Sequence, residues 1–95
     1  MFVILLKFAD NKAAARDHMA GHNAWLKDGF DEGVFLMAGS LQPALGGSLL
    51  AHNTTKAALA ERVALDPFVA EGVVSAEILE IEPKRLDPRL EFLAA

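Results

Sequence analysis

The chain has 95 residues, of which 53% are hydrophobic and none is cysteine, and its formal net charge is -4. Its basic residues are scattered, which argues against nucleic-acid binding because neutralising phosphates requires clustered positive charge. Without cysteine there is no disulfide or thiolate metal site, and no apolar run approaches the roughly 18 residues of a membrane span. We therefore expect a soluble cytoplasmic protein without membrane contact.

The first half of the chain predicts a strand, a long helix and two further strands. Phe2–Phe8 is a continuous apolar run, which is typical of a buried strand. Apolar residues at helical spacing predict a helix over residues 12–30. Val34–Ala38 is predicted to be the second strand, Gly39–Gly47 a loop rich in glycine, and Ser48–Ala51 a short third strand.

The second half predicts one helix, a short helical turn and a last strand. One of two adjacent threonines caps a helix that ends near Leu65, and Asp66 caps the turn that follows because proline comes next. Val73–Ile81 is the last predicted strand. Residues 83–95 contain two prolines and form a C-terminal tail of the same single domain, 1–95.

The resulting order, β-α-β-β-α-β, predicts an α+β fold. It is the ferredoxin-like sandwich, an antiparallel sheet with both helices on one face. The first strand is apolar on both of its faces, most clearly in Phe2–Leu6. The sheet face away from the helices should therefore be buried as well. A second copy packed sheet against sheet would bury it, so we expect a homodimer.

Two histidines, His18 and His22, lie four residues apart and so on one face of the first predicted helix. Such a pair can bind a metal, but the glutamate of the H-E-x-x-H motif is missing and no third ligand is obvious. We therefore expect no metal. The alternative is one exposed helix histidine and one histidine in a cleft or at the edge of the core.

Asp66 is the natural partner for a histidine in the cleft. In this fold the first helix and the end of the second lie on the same sheet face, so Asp66 can reach His22. A carboxylate that accepts a hydrogen bond from one imidazole nitrogen fixes the tautomer, and the other nitrogen can then act as general acid or base. The alternative, a simple helix cap, stays open.

Other residues near these two are candidates for substrate binding. Trp25 is three residues after His22 and lies beside it on the helix, where it can stack on a flat ring or pack in the core. Ser40 in the glycine-rich segment can donate a hydrogen bond to a substrate oxygen or serve the turn. His18 stays a candidate contact, although an ordinary helix position explains it equally well.

Three segments together resemble the YciI-like family. They are "GHNAWLKDGFDEGVFLMAGSL" at Gly21–Leu41, "GGSLLAHN" at Gly46–Asn53 and "LDPFVAEGV" at Leu65–Val73. The resemblance covers about Met19–Val73 and keeps the order and spacing of the three segments. Each segment is weak by itself, but together they are fairly specific.

The resemblance implies a dimeric ferredoxin-like α+β barrel whose cleft holds a histidine and an aspartate. In this sequence the matching residues are His22 and Asp66. Ser48, Gly39 and Phe68 match supporting positions near the cleft. No cofactor is implied.

The sequence departs from the family pattern at two positions. Met19 stands where family members often carry an arginine three residues before the histidine, and Ser40 stands where they often carry a proline. The missing arginine weakens any expectation of an anionic substrate. Whether His18 or Arg16 replaces it stays open.

Members of this family are related in fold to muconolactone isomerases, and one branch is associated with removing chloride from a chlorinated hydroxyhydroquinone. The resemblance therefore implies a small-molecule lyase or isomerase with an aromatic or cyclic substrate, and with His22 and Asp66 as the catalytic pair. An apolar pocket with Trp25 and Phe68 would suit a ring. The alternatives are a non-catalytic binding or accessory domain and, ranked last, a cofactor-free monooxygenase.

Overall fold

The computed structural model describes residues 1–94. Over this range the elements follow in the order β1 (Phe2–Phe8), α1 (Ala15–Asp31), β2 (Phe35–Leu41), β3 (Gly46–Ala51), α2 (Lys56–Ala64), α3 (Pro67–Ala70) and β4 (Val74–Glu80). Short 3-10 helices lie at Lys12–Ala14 and Pro88–Leu93. In this part of the chain no helix combines the length and the apolar composition needed to cross a membrane.

The four strands form one antiparallel sheet in the order β2-β3-β1-β4. This arrangement confirms the predicted ferredoxin-like α+β fold. The register places Ile4 opposite Leu49 on one side and opposite Ile78 on the other. Residues paired in this way point to the same face of the sheet, so the register assigns each strand residue to the helix-covered face or to the outer face.

The core lies between the sheet and the helices. Alternate residues of β1 point into it, and Phe2, Ile4 and Leu6 are at most 4% exposed, whereas Val3 and Leu5 on the outer face are only half-buried. The helices complete this core chiefly with Trp25, Leu59, Val63 and Phe68. Burying such side chains stabilises the fold by about 1.5–3 kcal/mol each before entropy is counted.

The prediction of a loop over Gly39–Gly47 is wrong at both ends of that range. β2 continues to Leu41 and β3 begins at Gly46, so a hairpin with a connection of residues 42–45 replaces the loop. The glycines do not break the strands. Gly46 has a φ of 133°, and a Cβ there would overlap the carbonyl oxygen of Leu6, so its lack of a side chain lets β3 approach β1.

A β-bulge interrupts the pairing of β2 with β3. Phe35 pairs with Ala51 but Met37 pairs with the next residue of β3, Leu50, so Leu36 is the extra residue. The bulge reverses the alternation along the rest of β2. Ser40 consequently points to the helix-covered face, where it pairs with Gly47.

At Gly29, α1 packs closely against the sheet. A Cβ at this position would overlap the ring of Phe35. In an open helix Gly→Ala would stabilise by about 1 kcal/mol. Here the steric overlap should prevail, and we expect Gly29→Ala to destabilise the protein by about 1–3 kcal/mol in urea unfolding.

A double variant tests the physical reason for that loss. Phe35→Leu removes the ring that the new methyl group would meet, so the two changes together should cost less than the sum of their separate effects. Unchanged or increased stability of Gly29→Ala alone would contradict the close packing of α1 on β2.

Candidate active site

His22 and Asp66 meet where α1 packs against α3. His22 lies in the middle of α1, Asp66 is the residue that caps α3, and His22 Nδ1 is 2.8 Å from Asp66 Oδ1. The helices can approach this closely because residue 21 is glycine, since a Cβ at Gly21 would lie 3.0 Å from Pro67 Cγ. The contact that the sequence predicted between these side chains is therefore present, and their catalytic role stays a prediction.

Asp66 is a buried carboxylate with an exposed fraction of 0%. Its Oδ1 also accepts the backbone N–H of Phe68 at 3.0 Å, so the oxygen that contacts His22 is the one that caps α3. Its Oδ2 is buried and has no hydrogen-bond partner among residues 1–94. The cap and the histidine contact, treated as alternatives from the sequence, occur together.

Aromatic side chains hold the His22 ring in place. The ring of Phe68 stacks on it with a centroid distance of 4.1 Å and an interplanar angle of 5°, and the ring of Trp25 lies 5.9 Å away at 27°. Because Nδ1 is directed at Asp66, Nε2 is the nitrogen left for another molecule. The His22 side chain is 13% exposed, which is enough for contact from one side.

His22 borders two adjoining open cavities of about 230 and 220 Å³ between α1 and the β2-β3 hairpin. Leu6, Gly39 and Gly47 border both. Gly47 pairs with Leu6 and therefore belongs to the helix-covered face, where its missing side chain leaves open space beside His22. The first cavity is further lined by Phe8, Met19, Asn23, Ser40, Gly46, Phe68 and Val74.

The structure brings some of the predicted binding residues to these cavities. Gly39, Ser40 and Phe68 line the first one with His22. Ser48 borders the second, but it pairs with Leu5, so its side chain belongs to the outer face of the sheet.

Trp25 and His18 border neither cavity. The indole N–H of Trp25 donates to the carbonyl oxygen of Arg62 at 2.9 Å, and its ring lies 5.0 Å from that of Phe35, so Trp25 packs in the core behind His22. His18 is half-buried one turn before His22.

The lining residues that the sequence analysis did not name as binding candidates include Met19, Asn23 and Gly47. Met19 was noted only as a departure from the family pattern. The signal for Gly47 was the pair of adjacent glycines, which was interpreted as a loop. For Asn23, the only feature of the sequence that could indicate a binding residue is its position next to His22.

Elsewhere among the described residues, no histidine that borders a cavity is paired with a buried carboxylate. A cavity of about 430 Å³ near the start of β1 is bordered by Met1, His52, Glu80 and Phe92. The rings of His52 and Phe92 there form a T-shaped pair with their centroids 5.6 Å apart. Within residues 1–94, no three histidine or carboxylate side chains lie close enough together to hold a metal ion.

Residues 1–82 match the sequence model of the YCII-related domain. The chain belongs to the YCII-related domain family, which confirms the resemblance found in the sequence. A solved structure with the same fold is that of 5-chloro-2-hydroxyhydroquinone dehydrochlorinase (TftG) from Burkholderia phenoliruptrix AC1100 in complex with 2,5-dihydroxybenzoquinone. It matches with a TM-score of 0.69 and 16% identity over 92% of this chain and 100% of that chain. At this identity the likeness shows the fold alone. No curated protein sequence matches the chain.

The geometry predicts the tautomer of His22. Asp66 Oδ1 can only accept a hydrogen bond when ionised, so neutral His22 should carry its proton on Nδ1 and leave Nε2 as an acceptor. Long-range ¹H–¹⁵N NMR of the imidazole rings should show this pattern for His22. His52, whose ring contacts Phe92, provides the internal comparison. A neutral His22 protonated on Nε2 would contradict the contact.

Proposed function

We propose that this chain is a cofactor-independent lyase or isomerase that moves protons on a small hydroxylated aromatic or related cyclic molecule. The observation that carries the proposal is the 2.8 Å contact between His22 Nδ1 and the buried Asp66. A buried carboxylate behind an imidazole that borders a cavity is an arrangement suited to general acid-base catalysis.

In the proposed reaction His22 Nε2 takes a proton from a ring hydroxyl or ring carbon. Asp66 stabilises the imidazolium that forms, and the imidazolium can return the proton elsewhere on the substrate. With a chlorinated substrate, chloride leaves with the electron pair of its carbon–chlorine bond and a hydroxyl proton passes through His22 to water, so the net change is loss of HCl and needs no oxidant. General acid-base catalysis of this kind contributes about 10²–10⁴-fold in rate.

Two further features support an aromatic substrate. Apolar side chains from β1, α1 and α3 form most of the larger cavity beside His22, and apolar cavities with a few polar groups suit flat rings. TftG, a protein of the same fold, is a dehydrochlorinase of a chlorinated hydroxyhydroquinone. The second candidate is a binding domain without catalysis, which the role of Asp66 as a helix cap favours.

We also propose that the outer face of the sheet packs against a second copy of the chain. This face carries mostly apolar side chains: Val3, Leu5, Met37, Leu41, Leu50 and Leu79. Its strand residues add one cation, Lys7, and one anion, Glu77. A two-fold interface joins the same patch from both copies, so this balanced pair of charges suits self-association.

Variants of the two site residues test the proposed catalysis through chloride release from 5-chloro-2-hydroxyhydroquinone. His22→Gln keeps an N–H beside the buried Asp66, which an alanine would leave unpaired. We expect it to lower kcat/KM by at least about 10²-fold. Asp66→Asn keeps the cap but removes the charge, so it should also lose turnover while remaining folded.

His52→Gln is the matched control, because it removes a histidine that borders a different cavity. It should leave turnover unchanged. Equal turnover by His22→Gln and the wild type would refute the catalytic role of His22. Binding of chlorinated hydroquinones by the wild type without any turnover would favour the binding domain.

Sedimentation equilibrium tests the dimer. The wild type should sediment as a dimer, and Leu50→Glu should sediment as a monomer because it places a charge in the middle of the proposed interface. Leu65→Glu is the control, since Leu65 is 75% exposed at the end of α2, on the helix side. A monomeric wild type at micromolar concentration would rule out this assembly.

A further inference from the structure

The two cavities beside His22 are lined by residues without a formal charge. Among the described residues, no lysine, arginine, aspartate or glutamate borders either of them. The polar side chains that face the larger cavity are those of His22, Asn23 and Ser40. The remaining wall is apolar or glycine. A molecule in this space therefore meets neutral hydrogen-bonding groups and a single imidazole.

The cations close along the chain to the lining residues do not border the cavities. Lys12 Nζ lies 4.5 Å from the centre of the ring of Phe8, a lining residue, and Arg16 precedes Met19 by one turn of α1, but neither residue belongs to the lining of either cavity. The closest formal charge behind His22 is the buried carboxylate of Asp66. If His22 becomes protonated, Asp66 already balances its charge.

An anionic group in this space would lose hydration without gaining a cationic partner. Burying an unpaired charge is costly, whereas a hydroxyl group can be satisfied by a single neutral donor or acceptor. The free Nε2 of His22, the amide of Asn23 and the hydroxyl of Ser40 are such groups.

We propose that this site selects uncharged hydroxylated rings and excludes the same rings when they carry a carboxylate. The selection depends on Met19, which closes the α1 side of the cavity with an uncharged side chain, and on Asn23, which offers an amide to a ring hydroxyl. The proposal rests on the proposed function because it concerns the same site. It predicts which ligands bind there, so a binding experiment can test it even if the protein turns over no substrate.

Two ligands of the same shape separate charge from size. They are 2,5-dihydroxybenzamide and 2,5-dihydroxybenzoate, which differ at neutral pH by one negative charge. The protein is labelled with ¹³C at the methionine methyl groups, and the three methionines report on three places. Met19 lines the cavity beside His22, Met37 lies on the outer face of the sheet, and Met1 borders the distant cavity near His52.

We expect the benzamide to shift the Met19 methyl signal and leave those of Met1 and Met37 in place. The benzoate should bind at least about tenfold more weakly at the same site. Met19→Arg should reverse this preference by supplying the missing cation, and Met19→Leu should keep it. Because these two variants lack the Met19 methyl group, their affinities for the two ligands are measured by isothermal titration calorimetry. Met19 is 44% exposed, so α1 can accept these changes.

Equal affinity of the wild type for both ligands would overturn the proposal, and so would shifts at Met1 instead of Met19 or no shift at millimolar ligand. All of these results are measured on the wild-type protein, so they do not depend on whether a variant folds. The benzamide preference together with absent turnover on every hydroquinone tested would refute the proposed lyase and leave the selection by charge intact.

Discussion

The structure of this site depends on one buried contact, between the imidazole of His22 and the carboxylate of Asp66. A buried ionised carboxylate is costly unless hydrogen bonds compensate it, and Asp66 Oδ1 receives two, one from the ring and one from the Phe68 N–H. Asp66 therefore caps α3, joins it to α1 and orients the imidazole of His22. A substitution that disturbed one of these functions would therefore disturb the other two.

Small residues of the sheet leave open space beside His22. Where the helix layer passes over the β2-β3 hairpin, the sheet presents Gly47 and Ser40 instead of large apolar side chains. A hairpin with leucine or phenylalanine at these positions would fill the space beside His22 and extend the core. The cavity is thus a region of the helix-sheet interface that the sequence leaves unpacked, and its apolar walls are continuous with the protein core.

Much of the fold could be predicted because its signals are local. The apolar run of β1, the caps at Thr55 and Asp66, and the order of elements follow from short-range preferences. The topology allowed the contact of His22 with Asp66, and the resemblance to the family implied it. The hairpin could not be predicted, because glycine marks either a break in a strand or a close approach of two strands, and only the partner strand decides which. For Trp25 the sequence left stacking on a substrate ring and packing open, and the hydrogen bond to the carbonyl of Arg62 belongs to the packed alternative. The position of Ser48 escaped prediction because it depends on the register with Leu5.

The extra residue at Leu36 has a consequence for how this fold can change. Beyond it, every side chain of β2 lies on the face opposite to the one that uninterrupted alternation would give, so Ser40 joins the cavity while Met37 and Leu41 lie on the outer face. If Leu36 joined the regular pairing, the two sets would exchange faces, which would bring a thioether and an isobutyl group to the helix-covered face and send the hydroxyl to the opposite surface, whereas deletion of Leu36 would leave both sets where they are. The lining of the cavity and the composition of the outer face therefore both depend on whether one residue of an edge strand stays out of the regular pairing.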